Sequence, residues 1–393
     1  MHVGIDAHKK TCTVCVVEKG TVTDSFSFPT TREGVNGFME KIHGKATLVI
    51  EASTTGKVLS RMLMEKYEVH MVAPPERKRA IKTDRRDAER IVQEDALRYL
   101  RRCYIPSPYI EMLRFQVMQQ IQVGRKIGRV KNQVHALLER NMIHDLDEFS
   151  DIFGVEGLRR MAELQLPSLD ANALGRHLEE LTLHVAHHKQ LETELAKIAE
   201  ADEDALLLLT IPGIDFFTAL AIKSRIGEIG RFPTKKHLCS YGAVVPGASN
   251  SGDYTSTHNH VKRGDMVLKY ALTCAVRGAV SARKNSAVKR FYLKHCKRMG
   301  AQKAEVAAAR KMACIVWKLL TTRQSYMEMD ERLTARKKRI LAWKAKRQEK
   351  NTPSDIRKLA ETLMGNTAIL EKYPEDFNQQ FDNLPKDSEE EWT

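Results

Sequence analysis

The sequence predicts an α/β domain at the N-terminus followed by a longer, mainly helical remainder. Residues 1 to about 100 alternate between strand-like and helix-like hydrophobic periods. From about residue 108 onward, apolar side chains recur almost throughout at three- and four-residue spacing. A chain of 393 residues, 42% of them hydrophobic, suffices for about two or three domains that each bury a core.

The first strand opens directly with Met1-His2-Val3-Gly4-Ile5-Asp6. Val14 and Val16 alternate with polar or small neighbours. After a turn at Gly20, Val22, Phe26 and Phe28 recur at even spacing opposite Thr21, Thr23, Ser25 and Ser27. A helix near 32–43, a buried strand Thr47-Leu48-Val49-Ile50, a helix near 57–66 and a short strand from Val69 to Val72 follow, closed by Pro74-Pro75. The order β-β-β-α-β-α-β-α predicts one mixed sheet, antiparallel first and parallel later.

The helical remainder begins with Leu113, Val117, Ile121, Val130, Val134, Leu137 and Leu138 on one helical face. Arg125, Lys126, Arg129 and Lys131 form a basic stripe, which either tracks nucleic-acid phosphates or is a solvated face; the chain's excess of cations favours binding. Leu181, Val185, His188, Leu191, Leu195 and Ile198 then step by three and four, a seam that pairs helices within one chain or joins protomers. Around Thr210-Ile211-Pro212-Gly213-Ile214-Asp215 the spacing gives helix, tight turn, helix. That turn either presents backbone N–H groups to phosphate around Gly213, as helix-hairpin-helix motifs do, or is a structural junction. An amphipathic helix over 300–320, a basic helical segment from Arg332 to Lys350 and a polar tail ending Asp387-Ser388-Glu389-Glu390-Glu391, expected to be mobile, complete the chain. The expected division is 1–105, 106–202, 203–322 and 323–393.

A formal net charge of +14 points to a polyanionic partner. No run of about eighteen apolar residues exists, and no basic stretch followed by an apolar core opens the chain, so a cytoplasmic protein without a membrane span is expected. Seven cysteines, an odd number, argue for reduced thiols. Cys12 and Cys15 spell C-x-x-C, but three residues apart on a strand they face opposite ways, and no second ligand pair accompanies them.

Within this basic chain four acids stand out: Asp6 at the end of the first strand, Glu51 at the end of the fourth, and Asp84 and Asp87 three apart at a helix start. Neighbouring strand ends lie about 5 Å apart, and a three-residue spacing shares a helix face, so the four can converge on one pocket. Hard oxygen ligands suit Mg²⁺ or Mn²⁺ in phosphodiester chemistry. Helix caps and dipole partners are the structural alternative, Asp84 in particular.

Val3-Gly4-Ile5-Asp6-Ala7-His8-Lys9, Ile50-Glu51-Ala52-Ser53 and above all Lys82-Thr83-Asp84-Arg85-Arg86-Asp87-Ala88 resemble the DEDD transposases of insertion sequence 110 elements, to which Piv-type invertases are related. The resemblance continues through Ile211-Pro212-Gly213-Ile214, Arg231-Phe232, Leu238 to Gly242, Pro246, Ser251-Gly252 and Lys262-Arg263-Gly264-Asp265, and covers about residues 1–322. It implies an N-terminal RuvC-like domain of RNase H fold, a helical, coiled-coil middle for nucleic-acid binding and oligomerisation, and a mainly helical transposase domain with a helix-hairpin-helix-like turn. Asp6, Glu51, Asp84 and Asp87 match the family's metal-binding acids, and Ser251 its nucleophile, which forms a covalent phosphoserine during recombination. Lys262 and Arg263, with Arg125, Lys126, Arg129, Lys131 and Gly213, are the expected nucleic-acid contacts.

The resemblance further implies donor and target DNA as substrates, guidance by an element-encoded bridge RNA, dimers assembling into a tetrameric synapse, composite sites between protomers, and a nucleoid-associated location in a prokaryote. Two departures stand out. Ser53-Thr54-Thr55-Gly56-Lys57 lacks the family's aromatic after the glutamate, and the segment around the nucleophile is longer by one, which makes Ser249 the second candidate.

Other signals rank lower. His258-Asn259-His260 spells HNH without the long spacing of HNH nucleases, and His184, His187 and His188 lack acidic or thiolate partners for a metal. Rival readings are a metal-dependent, junction-resolvase-like nuclease that uses water, and an actin-like ATPase or kinase; no glycine-rich phosphate loop after Asp6 supports the latter.

Overall fold

A computed structural model describes residues 1–73, 88–89, 91–92, 100–144, 146, 148–149, 151–245, 247–251, 254–258, 264–283 and 285–347. The chain divides into two compact units, Met1–Glu111 and Met112–Thr393.

The first unit is built on strands β1 (His2–Ala7), β2 (Thr11–Glu18), β3 (Thr21–Pro29), β4 (Thr47–Glu51) and β5 (Glu68–Val72), in sheet order β3-β2-β1-β4-β5. β2 is antiparallel to β1 and β3, while β4 runs parallel to β1 and to β5. Lys19 and Gly20 take positive φ at the β2–β3 turn, which matches the turn expected at Gly20. Helix α1 (Arg32–Lys41) starts where the Thr31 side chain accepts from the Gly34 N–H. Helix α2 (Thr54–Leu63) starts in the same way at Ser53. It begins three residues before the predicted start because that cap outweighs the weak helix propensity of Thr54, Thr55 and Gly56.

The strands' period of two sorts side chains onto two faces. Val3, Ile5, Val14, Leu48 and Ile50 face α1 and α2, whose Val35, Phe38, Leu59 and Leu63 complete one core. On the opposite face, Cys15 and Val17 pack against Ala88 and Val92, and Val49 and Val72 against Ile91. Cys12 and Cys15 therefore lie in different cores, as their spacing predicts. Every cysteine is a free thiol.

The second unit contains the long helices α3 (Pro108–Arg140), which begins four residues before the unit boundary, and α5 (Ser168–Ala201), with α4 (Val155–Ala162) between them. Val130, Val134, Leu137 and Leu138 of α3 pack with Leu174, Leu178 and Leu181 of α5. Leu113, Val117 and Ile121 share a core with Leu195, Ala196 and Ala199. The two helices are thus antiparallel partners, and the seam on α5 is filled largely from within the chain. Burial holds the His188 imidazole below its ordinary pKa, and its Nε2 lies 2.9 Å from Gln120 Nε2.

Beyond them come α6 (Glu203–Leu208), α7 (Phe216–Ile226), α8 (Lys235–Tyr241), strands β6 (Gly247–Ser251) and β7 (Tyr254–His258), α9 (Met266–Ser281), α10 (Ala287–Met299), α11 (Ala301–Thr322) and α12 (Glu331–Ala345). Ala219, Leu220, Leu272, Val276, Met312 and Val316 fill the largest core. Leu341 and Ala345 of α12 are buried in it too, so this core continues past residue 322. The Lys337 ammonium is buried against the Leu209 and Ile211 carbonyls, at 2.8 and 2.7 Å. Burial lowers its pKa to about 8. The antiparallel β6–β7 hairpin is an addition to the predicted helices: its Ser, Thr and Asn residues carry no hydrophobic alternation to announce it. Among the described residues, no helix is long and apolar enough to cross a membrane.

Candidate active site and nucleic-acid contacts

Asp6 and Glu51 occupy equivalent places on adjacent parallel strands. The β1–β4 register pairs Val3 with Leu48 and Ile5 with Ile50. One step further along each strand come Asp6 and Glu51, on the face opposite Ile5 and Ile50. Asp6 is only 7% exposed. Its Oδ2 lies 3.2 Å from His8 Nε2. Glu51 is half-buried and pairs across the sheet with Val72.

Two glycines that carry no chemistry shape this corner. A Cβ on Gly56 would sit 2.2 Å from the Glu51 carbonyl oxygen, so the start of α2 can close on the end of β4 only because residue 56 has none. A Cβ on Gly4 would sit 2.1 Å from the Ala88 carbonyl oxygen and 2.7 Å from Val92 Cγ2. Gly4 lies two residues before Asp6, hence on the same face. The glycine therefore lets the helical residues that follow Asp87 rest on the face that bears both acids. Asp84 and Asp87 themselves lie outside the described residues. Among the described residues, no three His, Cys, Asp or Glu side chains gather as a metal cage.

Sequence reasoning missed Gly4, Gly56 and His8. An isolated glycine inside a strand signals a close backbone approach, and that signal was available at Gly4. Nothing local announces the contact of His8 with Asp6.

In the second unit, Ser251 is the last residue of β6 and pairs with Tyr254 across the tip of the hairpin; Ser249, two residues earlier, pairs with Ser256. The base of the hairpin is closed by a hydrogen bond from the Asp265 N–H to the Tyr241 carbonyl, 2.7 Å. Gly264, at φ 134°, fits there because a Cβ would meet Ala243 Cβ at 2.7 Å. Asp265 then caps α9 by accepting from the Leu268 N–H at 2.8 Å. These contacts give Gly264 and Asp265 a structural role. Lys262 and Arg263, before them, lie outside the described residues, as do Asn259 and His260. Arg231 serves structure as well, donating from Nε to the Ile226 carbonyl at 2.7 Å with its guanidinium over Phe232 and Tyr241.

The remaining expected contacts differ in setting. Arg125, Lys126 and Arg129 are exposed on α3, and Arg125 lines a cleft of about 450 Å³ with Gln120, His188, Phe216 and Tyr270. Lys131 lies 3.8 Å from Asp151 and over the Phe153 ring. Gly213, at φ 91°, presses on α9, where a Cβ would sit 2.1 Å from the Ala275 carbonyl oxygen; close packing alone accounts for this glycine. His184 contacts Glu180 at 3.3 Å, an ordinary pair one helical turn apart.

Two family models match the chain. An IS110-type DEDD transposase model matches residues 3–143, and a model for the transposase IS116/IS110/IS902 family matches residues 205–293. The first therefore spans both acids, and the second spans the hairpin. Among curated relatives, a transposase for insertion sequence element IS1111A from Coxiella burnetii is 34% identical over 137 residues, 34% of this chain and 38% of that protein. A probable family 20 transposase from Pseudomonas aeruginosa is 27% identical over 300 residues, 71% of this chain and 85% of that protein. A putative transposase from Sinorhizobium fredii is 24% identical over 70% of each chain. The chain thus spans little more than a third of the first of these relatives and most of the other two. With a DEDD model over the sheet and its acids and a transposase model over the hairpin unit, the chain belongs to the IS110 family of DEDD transposases.

Proposed function

We propose that this protein cuts and rejoins DNA strands of a mobile element, with Asp6, Glu51, Asp84 and Asp87 as ligands for Mg²⁺ or Mn²⁺ and Ser251 as the nucleophile. The register that sets Asp6 beside Glu51, on the face where Ala88 seats against Gly4, carries the reading. DEDD-type transposases generally use a divalent metal. The donor set fits one: two hard carboxylates, one of them nearly buried, stand at adjacent strand ends on one face of the sheet. When bound, the metal supplies Lewis-acid stabilisation of charge on a phosphodiester oxygen.

Ser251 loses its hydroxyl proton and attacks phosphorus; a phosphoserine ester forms as the bond to the departing deoxyribose oxygen breaks, and that oxygen takes up a proton. Because the ester retains the energy of the broken bond, a second deoxyribose hydroxyl can displace Ser251 and reseal a strand. Placement at a hairpin tip suits a residue that must reach into a substrate, and Ser249 is the alternative on the same strand. Buried Asp6, held by His8, positions its carboxylate before substrate arrives.

The partners in this reading are donor and target DNA and a structured guide RNA, handled by a homo-oligomer. A net charge of +14 supports polyanionic partners of this kind. Sequencing RNA that co-purifies with the protein, then supplying it in a strand-exchange assay, tests the reading: a structured RNA transcribed from beside the gene supports it, and strand exchange indifferent to that RNA overturns the guided part.

A further inference from the structure

Most cations of helix α12 fall on one of two sides, while Lys338 is exposed off both. On its inner side, Lys337 donates to the Leu209 and Ile211 carbonyls. Lys344 reaches Glu192 and sits over the Phe216 ring. Arg347, just past the helix, contacts Glu192 at 3.4 Å and donates to the Lys189 carbonyl at 2.6 Å. On the outer side, Arg332, Arg336, Arg339, Trp343 and Lys346 are all exposed, Trp343 by 63%. Their steps of four, three, four and three confine them to roughly 80° of the helix circumference, along about 21 Å of axis.

A solvated helix face normally intersperses acids among its cations and keeps large aromatics out. This stripe does neither. None of its four cations has a carboxylate partner among the described residues, whereas both inward cations that meet Glu192 do. An exposed indole set in a line of cations that meet no described carboxylate is the pairing that recognises a nucleic acid with an unstacked base: cations follow the phosphates and the ring offers a stacking platform. A stiff duplex keeps its bases stacked, so Trp343 has no role on it. The stripe also lies beyond both family matches, which end at residues 143 and 293.

We propose that the outer face of α12 binds a single-stranded polynucleotide, with phosphates along Arg332, Arg336, Arg339 and Lys346 and one unpaired base on Trp343. This rests on the reading of the protein as a nucleic-acid enzyme but not on the identity of its catalytic residues. It adds a contact surface outside the acids, the serine hairpin and the α3 stripe.

The test is a titration of the full chain with 20-mer oligo(dT), oligo(U) and a DNA duplex of equal length, repeated at several salt concentrations. The expected result is tighter binding of single strands than of duplex; the oligo(dT) and oligo(U) arms show whether the strand is DNA or RNA. The triple variant R332Q/R336Q/R339Q should lose at least about tenfold in affinity, with the slope of log K against log salt shallower by about 2. W343L should lose about tenfold with its slope unchanged, since stacking releases no counterions. K344Q, an inward cation, should lower the melting temperature and leave the slope alone.

Single-strand affinity and slope unchanged in both the triple variant and W343L would overturn the proposal. So would single-strand binding that appears only after residues 386–393 are deleted and is indifferent to W343L, because the acidic segment would then be the occupant of this face. Ser251→Ala should leave all these affinities intact. An S251A protein that binds normally but still forms a covalent adduct refutes the catalytic reading without touching this one.

Discussion

The carbonyl oxygen of Ala88 occupies the space where a Cβ on Gly4 would lie, 2.1 Å away. That contact seats the helical residues after Asp87 on the sheet face that carries Asp6 and Glu51. Gly4 is thus the residue that lets Ala88 and Val92 close on the face bearing Asp6 and Glu51. Gly4→Ala must lift the segment or distort β1. The expected result is a loss of about 1–3 kcal/mol in stability, typical of overpacking, and a fall in strand exchange larger than the stability loss explains at a temperature where the variant remains folded. Unfolding by denaturant and a strand-exchange assay at that temperature check both halves.

Metal binding should register on stability before any DNA is present. Mn²⁺ should raise the melting temperature of the parent protein by several degrees at millimolar concentration, because a ligand that binds only the folded state stabilises it by mass action. Asp6→Asn and Glu51→Gln should abolish most of that increment. His8→Ala should weaken apparent Mn²⁺ affinity by about tenfold, since His8 Nε2 lies 3.2 Å from the Asp6 carboxylate proposed as a ligand and orients it.

Much of this arrangement was legible in the sequence, for definite reasons. β2 and β3 announced themselves by period-two alternation and a glycine turn, and β4 as a short buried apolar run. The opposed faces of Cys12 and Cys15, and the places of Asp6 and Glu51 at strand ends, follow from the same period. The start of α2 at Thr54 did not, because a single Ser53 cap overrides three poor helix formers. The β6–β7 hairpin was hidden because its polar residues have no alternation to read. Arg332 to Lys350 read as a uniformly basic segment, yet Lys337 and Lys344 turn inward; only the tertiary partners Leu209, Ile211 and Glu192 distinguish those from the outward cations.

Lys337 makes the fold's stability depend on pH in a predictable direction. Its pKa is about 8 in the folded chain, against 10.5 when unperturbed. Between those values the unfolded chain holds a proton that the folded chain has released, so stability from this group rises with pH and is absent below about pH 8. The gain over that window amounts to about 3 kcal/mol at one pKa unit per 1.4 kcal/mol. Lys337→Met should remove it. Comparing denaturation of parent and variant at pH 7.5 and pH 10 isolates the effect from other titrating groups.

The base of the hairpin offers a way to separate the serine from the acids. Gly264→Ala is strained twice over, by its φ of 134° and by the approach to Ala243. It should disturb the closure between Tyr241 and Asp265 and reduce covalent adduct formation by at least about tenfold, while the Mn²⁺-dependent shift in melting temperature stays at the parent value. Thermal melts with and without Mn²⁺, run beside an adduct assay, show whether the two effects part.

In the proposed function the acids and Ser251 act together in a covalent exchange of DNA strands. Its most direct measurement is peptide mapping by mass spectrometry of protein trapped on DNA under denaturing conditions, in the presence of Mg²⁺ or Mn²⁺. The expected result is a phosphodiester-linked nucleotide on Ser251, lost in Ser251→Ala and in Asp6→Ala and retained in Ser249→Ala. DNA cleaved to free ends by the Ser251→Ala protein, with no serine adduct in the parent, would contradict it and make the protein a metal-dependent nuclease.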